Sequence, residues 1–241
     1  MAPELKAVVF DVDGTLADTE RDGHRPAFNE AFVRHGLDLE WSVEKYGRLL
    51  EITGGRRRIA ADLTEHGLDA EEADRIAAEV HRTKTGLFVE HIRAGSIGPR
   101  PGLQDFVDTL VVAGIRVAVA TTGRRSWVDP LLEQVLPGVP IEVVVTGDDV
   151  TELKPDPEAY LTALERLGVP AAEATAVEDS GVGTQAAVAA GLATVVVTNG
   201  YTRGQDFTGA AAVLDGYTGP PPLDAARLRA LHDEFAAQRS P

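Results

Sequence analysis

Two aspartates, Asp11 and Asp13, stand at the end of a short apolar run and open the sequence DVDGT. Side chains two apart on an extended segment point to the same side, so both carboxylates face one space. Carboxylates that close repel each other, and one pKa rises. A raised carboxyl suits proton donation and acceptance, while its neighbour can attack as a nucleophile and form an aspartyl phosphate. A carboxylate that approaches a phosphate dianion meets repulsion, so the site also needs a divalent cation and fixed positive groups. Magnesium suits such a set of oxygen ligands. Gly14 lets the chain turn close to a ligand.

The remaining parts of such a site recur further along. Glu178 and Asp179 follow the apolar run Thr175 to Val177, lead into Ser180-Gly181-Val182-Gly183, and can complete a cation site. Lys154 opens Lys-Pro-Asp-Pro in a chain with 4 lysines against 19 arginines; a compact ammonium fits between a nucleophile and a phosphate oxygen. Thr121, followed by Thr122, ends another apolar run and offers a hydroxyl and loop amides to a phosphate. Each feature alone has a simpler reading. A lone Asp-x-Asp is commonly a solvated turn, Lys154 a surface lysine beside a proline turn, Thr121 a helix cap, and Glu178 with Asp179 a charge pair at a helix N-terminus. Only the ordered set, each part at the end of an apolar run, lifts them above that.

Those runs are the elements that must position the chemistry. Leu5 to Phe10, Ile115 to Ala120, Ile141 to Val145, Thr175 to Val177 and Thr194 to Val197 read as buried strands. Helical patterns lie between them at Gly102 to Val112, Trp127 to Val135, Pro157 to Leu167 and Thr184 to Ala190. This alternation predicts an α/β fold with a Rossmann-like parallel sheet, and ligands bind at the C-terminal ends of such strands. Residues 20–95 break the rhythm. Ala27, Phe28, Ala31 and Phe32 mark one apolar helix face, and Ile76, Val80, Leu87, Phe88 and Ile92 mark another. The expected organisation is a core domain of residues 1–17 and 96–241 with a helical cap domain, residues 18–95, inserted. The Gly/Pro-rich stretch 95–102 and the segment 16–20 are expected hinges. Residues 216–222 form a turn-rich linker to a last helix, Asp224 to Ala237.

The bulk properties narrow the partners. A chain of 241 residues, 44% hydrophobic and 25% charged, is ordinary globular material for one core and an accessory module. A net charge of −15 argues against nucleic acid, and it requires an anionic substrate to meet local cations. No run approaches the roughly 20 apolar residues of a membrane span, and the N-terminal run is too short and too soon acidic for a secretory signal. With no cysteine, disulfides and thiolate sites are excluded. The expectation is a cytoplasmic monomer acting on a small molecule.

The order DVDGT, a hydroxyl residue after a strand, a lysine before Pro-Asp-Pro and an acidic pair before Ser-Gly-x-Gly resembles the four motifs of the haloacid-dehalogenase superfamily, along the whole chain. The helical insertion is similar to the cap of its β-phosphoglucomutase branch. The resemblance implies Asp11 as nucleophile and metal ligand, Asp13 as general acid/base with its carbonyl on Mg2+, Thr121, Thr122 and Lys154 as phosphate clamp, Asp179 as a metal ligand and Glu178 as a secondary one. The segments at 18–32 and 46–59 resemble the CbbY branch, sugar-bisphosphate phosphatases acting on xylulose-1,5-bisphosphate. That likeness implies substrate contacts from Glu20, His24, Tyr46, Thr53, Gly54, Gly55 and Arg56. Arg57, Arg58, Arg124 and Arg125 are further candidates for a second phosphate. Two departures stand out: one residue more than the expected spacing, at Asp22-Gly23, and Gly123-Arg124-Arg125 where a Ser/Thr/Asn-rich loop is expected.

Three other readings use parts of the same set. A phosphosugar mutase shares every core residue and differs in how far water is excluded. A halide-releasing hydrolase attacks carbon and requires neither a metal nor Asp13. A non-catalytic binding protein would be expected to lack Asp11 or Lys154. The role of Asp13 separates the phosphoryl-transfer readings from the halide-releasing one. Asp13→Asn should lower the rate by several orders of magnitude on an alkyl phosphate while magnesium still binds. An aryl phosphate, whose leaving group needs no proton, should lose less in the first step. Rates on both esters check this; equal losses would remove the acid/base role.

Overall fold

The computed structural model describes residues 3–52 and 54–239; Thr53, one of the expected substrate contacts, lies outside them. The chain divides into two compact units, Met1–Asp18 with Gly98–Pro241, and Thr19–Ile97.

The first unit is built on six parallel strands, β1 (Ala7–Phe10), β2 (Arg116–Ala120), β3 (Ile141–Val145), β4 (Ala174–Glu178), β5 (Ala193–Val197) and β6 (Ala212–Leu214), in the order β3-β2-β1-β4-β5-β6. β1, the AVVF run, lies between β2 and β4 and is buried throughout. Its alternate side chains go to opposite faces. Ala7 and Val9 join a core with Tyr160, Ala163 and Leu164 of α7 (Glu158–Leu167) and Ala186 and Ala187 of α8 (Gly181–Ala189). On the other face Phe10 meets the ring of Phe106 edge-on at 5.9 Å, from α5 (Leu103–Val112). The remaining helices are α6 (Arg125–Val135) and α9 (Ala225–Arg239). Consecutive strands run outward from β1 to β3 and then cross to β4 on the other side of β1. The crevice between β1 and β4 is therefore a topological switch point, where α/β sheets bind ligands. β6 is the strand the sequence pattern does not announce. It is three residues long, partly exposed and at the sheet edge, so it carries no buried apolar run.

The second unit is helical, with α1 (Arg25–Arg34), α2 (Val43–Leu49), α3 (Gly55–Glu65) and α4 (Ala70–Arg93). Ser42 caps α2 by accepting from Lys45 N, and Asp69 caps α4 by accepting from Glu71 N and Glu72 N. Its core gathers Phe28, Phe32, Trp41, Tyr46, Ile59, Val80, Leu87 and Phe88. The α4 stripe differs from the expected one at two places. Ile76 is only half-buried, with Ala73 and Ala77 taking the inward positions, and Lys84 is buried among the apolar residues. Its ammonium lies 4.7 Å from the Phe28 ring centroid and 5.1 Å from that of Phe88, a placement in which the ring faces offset part of the lost hydration. No helix among the described residues is long and apolar enough to cross a membrane.

The extra residue at Asp22-Gly23 has a structural counterpart. Thr19–His24 forms a π-helical turn that runs directly into α1, with His24 itself in helical conformation. A π-turn absorbs one inserted residue without breaking a helix. Gly23 sits on its inner side, where an added Cβ would come within 2.5 Å of Ile97 Cδ1 and 2.7 Å of Phe88 Cε2. Gly23→Ala should therefore overpack the unit and destabilise it by about 1–3 kcal/mol. Urea unfolding followed by Trp41 fluorescence in a Trp127→Phe background checks this; an unchanged midpoint would show that the two neighbours yield.

Candidate active site

The Asp11 N–H donates to the Val177 carbonyl at 3.0 Å, which prolongs the β1–β4 ladder by one residue and fixes where the carboxylate leaves the sheet. Its Oδ1 accepts from Lys154 Nζ at 2.6 Å, and its Oδ2 accepts from Thr15 Oγ1 at 3.2 Å. The chain then coils on itself. Gly14 N donates to the Ala17 carbonyl at 2.8 Å, and Asp13 and Ala17 form a bridge. Gly14 has φ +77°, and a Cβ there would lie 2.2 Å from Asp179 Oδ2. Glycine is thus required both by the turn and by the approach of Asp179.

Lys154 reaches this point from the loop after β3. Its side chain is 5% exposed, and Nζ lies 2.6 Å from Asp11 Oδ1 and 2.6 Å from Glu178 Oε1. Tyr160 OH donates to the same Glu178 oxygen at 2.7 Å. Burial disfavours the ammonium, but the charges of Asp11 and Glu178 outweigh it and hold Lys154 above the ordinary lysine range. Burial likewise pushes Asp11 up to about 6; Lys154 opposes the rise and Glu178 adds to it. Asp179 is raised well above the carboxylate range by burial and by Asp11 and Glu178, against the pull of Arg100 and the Asn199 hydrogen bond.

Thr121 follows β2, and its buried hydroxyl accepts from Gly123 N at 3.0 Å, while Thr122 is exposed beside it. The Gly123 carbonyl accepts from Gly147 N at 2.8 Å, joining the loops after β2 and β3. Asp149 locks this junction. Its Oδ2 accepts from Thr146 N at 2.8 Å, Thr146 Oγ1 at 2.7 Å and Arg125 at 2.6 Å, and its Oδ1 accepts from Arg166 at 3.2 Å. Arg124 pairs with Asp148 at 2.5 Å. Arg124 and Arg125, considered for a second phosphate, thus form ion pairs with aspartates of the neighbouring loop. The departure from a Ser/Thr/Asn-rich loop serves loop-to-loop anchoring.

One carboxylate oxygen from each of Asp11, Glu178 and Asp179 can be chosen so that all lie within 4.8 Å of one another, all three residues being buried. Hard oxygen donors of high negative charge, in a volume too small for their mutual repulsion, fit a small divalent cation such as Mg2+. Three residues missed at the level of sequence complete the surroundings: Tyr160, Arg100 and Asn199. The buried Arg100 guanidinium donates to the carbonyls of Gly14 (2.7 Å), Val197 (2.7 Å) and Thr198 (2.6 Å). Asn199 stands two residues past the fifth apolar run, Thr194 to Val197, and that strand-end position is its only mark in the sequence; Arg100 and Tyr160 have no signal beyond their type.

In the helical unit the expected contacts separate. Tyr46 OH donates to Glu20 at 2.5 Å and accepts from Arg58 at 3.4 Å. His24 Nδ1 lies 2.8 Å from Lys84 Nζ, with its ring 3.8 Å from that of Phe88. Burial, with Lys84 and Arg58 nearby, drives the His24 pKa well below its usual range. Arg56 instead makes a two-pronged exposed pair with Asp74 of α4, so Arg58 is the arginine beside Tyr46. Gly54 and Gly55 open α3, and Gly55 is packed against Phe28 and His81.

The raised Asp11 carboxyl has a measurable consequence. Its folded pKa of about 6 lies above its ordinary 3.8, so between these values the native state holds a proton that the unfolded state has released. Its stabilising contribution is full below pH 3.8 and is lost as pH rises towards 6. With a chelator present, Asp11→Asn should gain stability relative to the parent by up to about 3 kcal/mol between pH 4 and 7. Denaturant unfolding of both proteins across this range checks it; parallel curves would show that Asp11 titrates normally.

A family model for haloacid dehalogenase-like hydrolases matches residues 5–191. Protein CbbY of Rhodobacter capsulatus is 45% identical over 210 residues, 86% of this chain and 91% of the relative. Phosphoglycolate phosphatase of Rhodospirillum rubrum is 32% identical over 217 residues, 88% of each. A solved structure of a CbbY point mutant from Rhodobacter sphaeroides in complex with xylulose-(1,5)bisphosphate has TM-score 0.72 at 40% identity, covering 89% of this chain and 96% of that one. With its six-stranded parallel sheet and its motifs in register at the strand ends, the chain belongs to the haloacid dehalogenase-like hydrolase family.

Proposed function

We propose that this hydrolase is a magnesium-dependent phosphatase that acts on a small phosphorylated sugar through an aspartyl phosphate on Asp11. The observation that carries the reading is Lys154 Nζ at 2.6 Å from both Asp11 and Glu178, inside a buried acidic cluster at the sheet's switch point. An ammonium held there keeps Asp11 partly ionised despite burial and stands ready for a phosphate oxygen. The CbbY structure with bound xylulose-(1,5)bisphosphate supports a sugar bisphosphate as substrate, and the likeness to phosphoglycolate phosphatase supports phosphate-ester hydrolysis.

Asp11, Glu178, Asp179 and the Asp13 carbonyl would hold the cation. When bound, it supplies positive charge against the phosphoryl oxygens as negative charge builds on them. Lys154 shares that load, with the Thr121 hydroxyl and the Thr122 amide as further partners. An Asp11 oxygen attacks phosphorus, the phosphorus–oxygen ester bond breaks, and Asp13 gives its proton to the departing alkoxide. Asp13 then takes a proton from water, whose oxygen attacks the aspartyl phosphate, releasing phosphate and restoring Asp11. Glu20, Tyr46 and Arg58, with His24, Thr53, Gly54, Gly55 and Arg56 alongside, are read as the cap's contribution to recognising the sugar and a second phosphate.

Phosphate release from a panel of sugar mono- and bisphosphates tests this. Activity should require magnesium, stop on chelation and vanish in folded Asp11→Asn. Arg58→Ala should weaken kcat/KM for a bisphosphate by about 1–3 kcal/mol and change a monophosphate far less. Isomerised sugar phosphate in place of inorganic phosphate would identify a mutase, and full activity after exhaustive chelation would exclude the mechanism.

A further inference from the structure

The side-chain amide of Asn199 has only one workable orientation. Its Oδ1 accepts from Tyr201 N at 2.8 Å and Thr202 N at 3.2 Å. Its Nδ2 donates to Asp179 Oδ2 at 2.7 Å and to the Gly14 carbonyl at 3.4 Å. Turning the amide over would set its oxygen against two oxygens and its NH2 against two N–H groups. The backbone around it is equally fixed. Asn199 N donates to Thr202 Oγ1 at 3.0 Å, and Arg100 binds both the Thr198 carbonyl, one residue before, and the Gly14 carbonyl that Asn199 also faces. Gly14 packs close to the same oxygen, since a Cβ there would lie 2.2 Å from Asp179 Oδ2.

We infer that Asn199 is a positioning residue that sets which cation the site prefers. This rests on the metal-dependent reading above and goes beyond it. With Oδ2 engaged by Asn199, Asp179 meets a cation through Oδ1 alone. One oxygen per carboxylate suits Mg2+, which demands a near-ideal octahedron of short bonds. Ca2+ takes more ligands at longer range and gains from two-oxygen chelation by a single carboxylate. Asn199 therefore withholds the oxygen that Ca2+ would use, and it does so without touching the cation or the substrate. Loss of a partner that orients a ligand lowers metal affinity by about 10- to 100-fold; here that loss should fall on Mg2+, while Ca2+ is compensated by the freed Oδ2.

The test is calorimetric titration of the full chain, freed of metal, with Mg2+ and separately with Ca2+. Asn199→Ala should weaken Mg2+ binding by about 10- to 100-fold and leave Ca2+ binding near the parent value or tighter, so Kd(Ca)/Kd(Mg) falls by about tenfold or more. Asn199→Ser, whose hydroxyl can still accept from the loop amides but is too short to reach Asp179, should behave alike and covers the case in which alanine disturbs the loop. Equal weakening of both cations would reduce Asn199 to a loop-shaping residue, and unchanged affinities would remove its role; either overturns the inference. A parent protein that binds neither cation, with Asp179→Ala making no difference, would overturn the phosphatase reading itself. A parent that binds Mg2+ and releases phosphate, with an unmoved ratio in both variants, would overturn the role of Asn199 alone.

Discussion

A buried ammonium shared by two buried carboxylates governs this site. Lys154 meets Asp11 and Glu178 at equal distance, and Asp179 adds a third carboxylate within the same few ångströms. Charges taken out of water are destabilising unless paired and hydrogen-bonded. Burial pushes Asp11 and Asp179 up, and the charge of Glu178 adds to the rise of both. The same excess of negative charge fits the cluster to the divalent cation proposed above.

The sheet supplies the geometry. With β1 between β2 and β4, the strand ends that carry Asp11, Thr121 and the acidic pair fall side by side, and the loop after β3 brings Lys154 in over them. Close approach sets the side-chain sizes. Gly14 admits Asp179, and Gly183 in the first turn of α8 admits Glu178, where an added Cβ would fall about 2 Å from its carboxylate. Polar anchors then hold the loops: Asp149 with Arg125 and Arg166 on one side, Arg100 with three carbonyls on the other. These anchors give Arg100, Arg125 and Arg166 partners within the protein itself.

The helical unit follows a different logic. It encloses an aromatic core into which Lys84 is folded with His24 at its tip, and the Glu20–Tyr46–Arg58 group is tied by hydrogen bonds. Arg56 and Arg58 lie two apart at the start of α3, which on a helix turns them to different sides. Arg56 goes out to Asp74, and Arg58 goes inward to Tyr46 and the Ile52 carbonyl.

The sequence by itself determined the class of fold and five of the six strands, and it marked the polar residues at the strand ends. Each of these leaves a local mark: a buried parallel strand is a continuous apolar run, and a strand end that binds a ligand is a polar residue directly after it. The edge strand β6 leaves no such mark, being short and partly exposed. Only the tertiary structure decided the partners: that Lys154 bridges Asp11 and Glu178 across 143 and 24 residues of chain, that Arg58 rather than Arg56 joins Tyr46, that Arg124 and Arg125 pair with aspartates, and that Arg100 and Asn199 stand behind Gly14 and Asp179. Hydrogen bonds between residues so far apart in sequence depend on the angles at which loops leave the sheet, and no spacing rule along one chain encodes those angles.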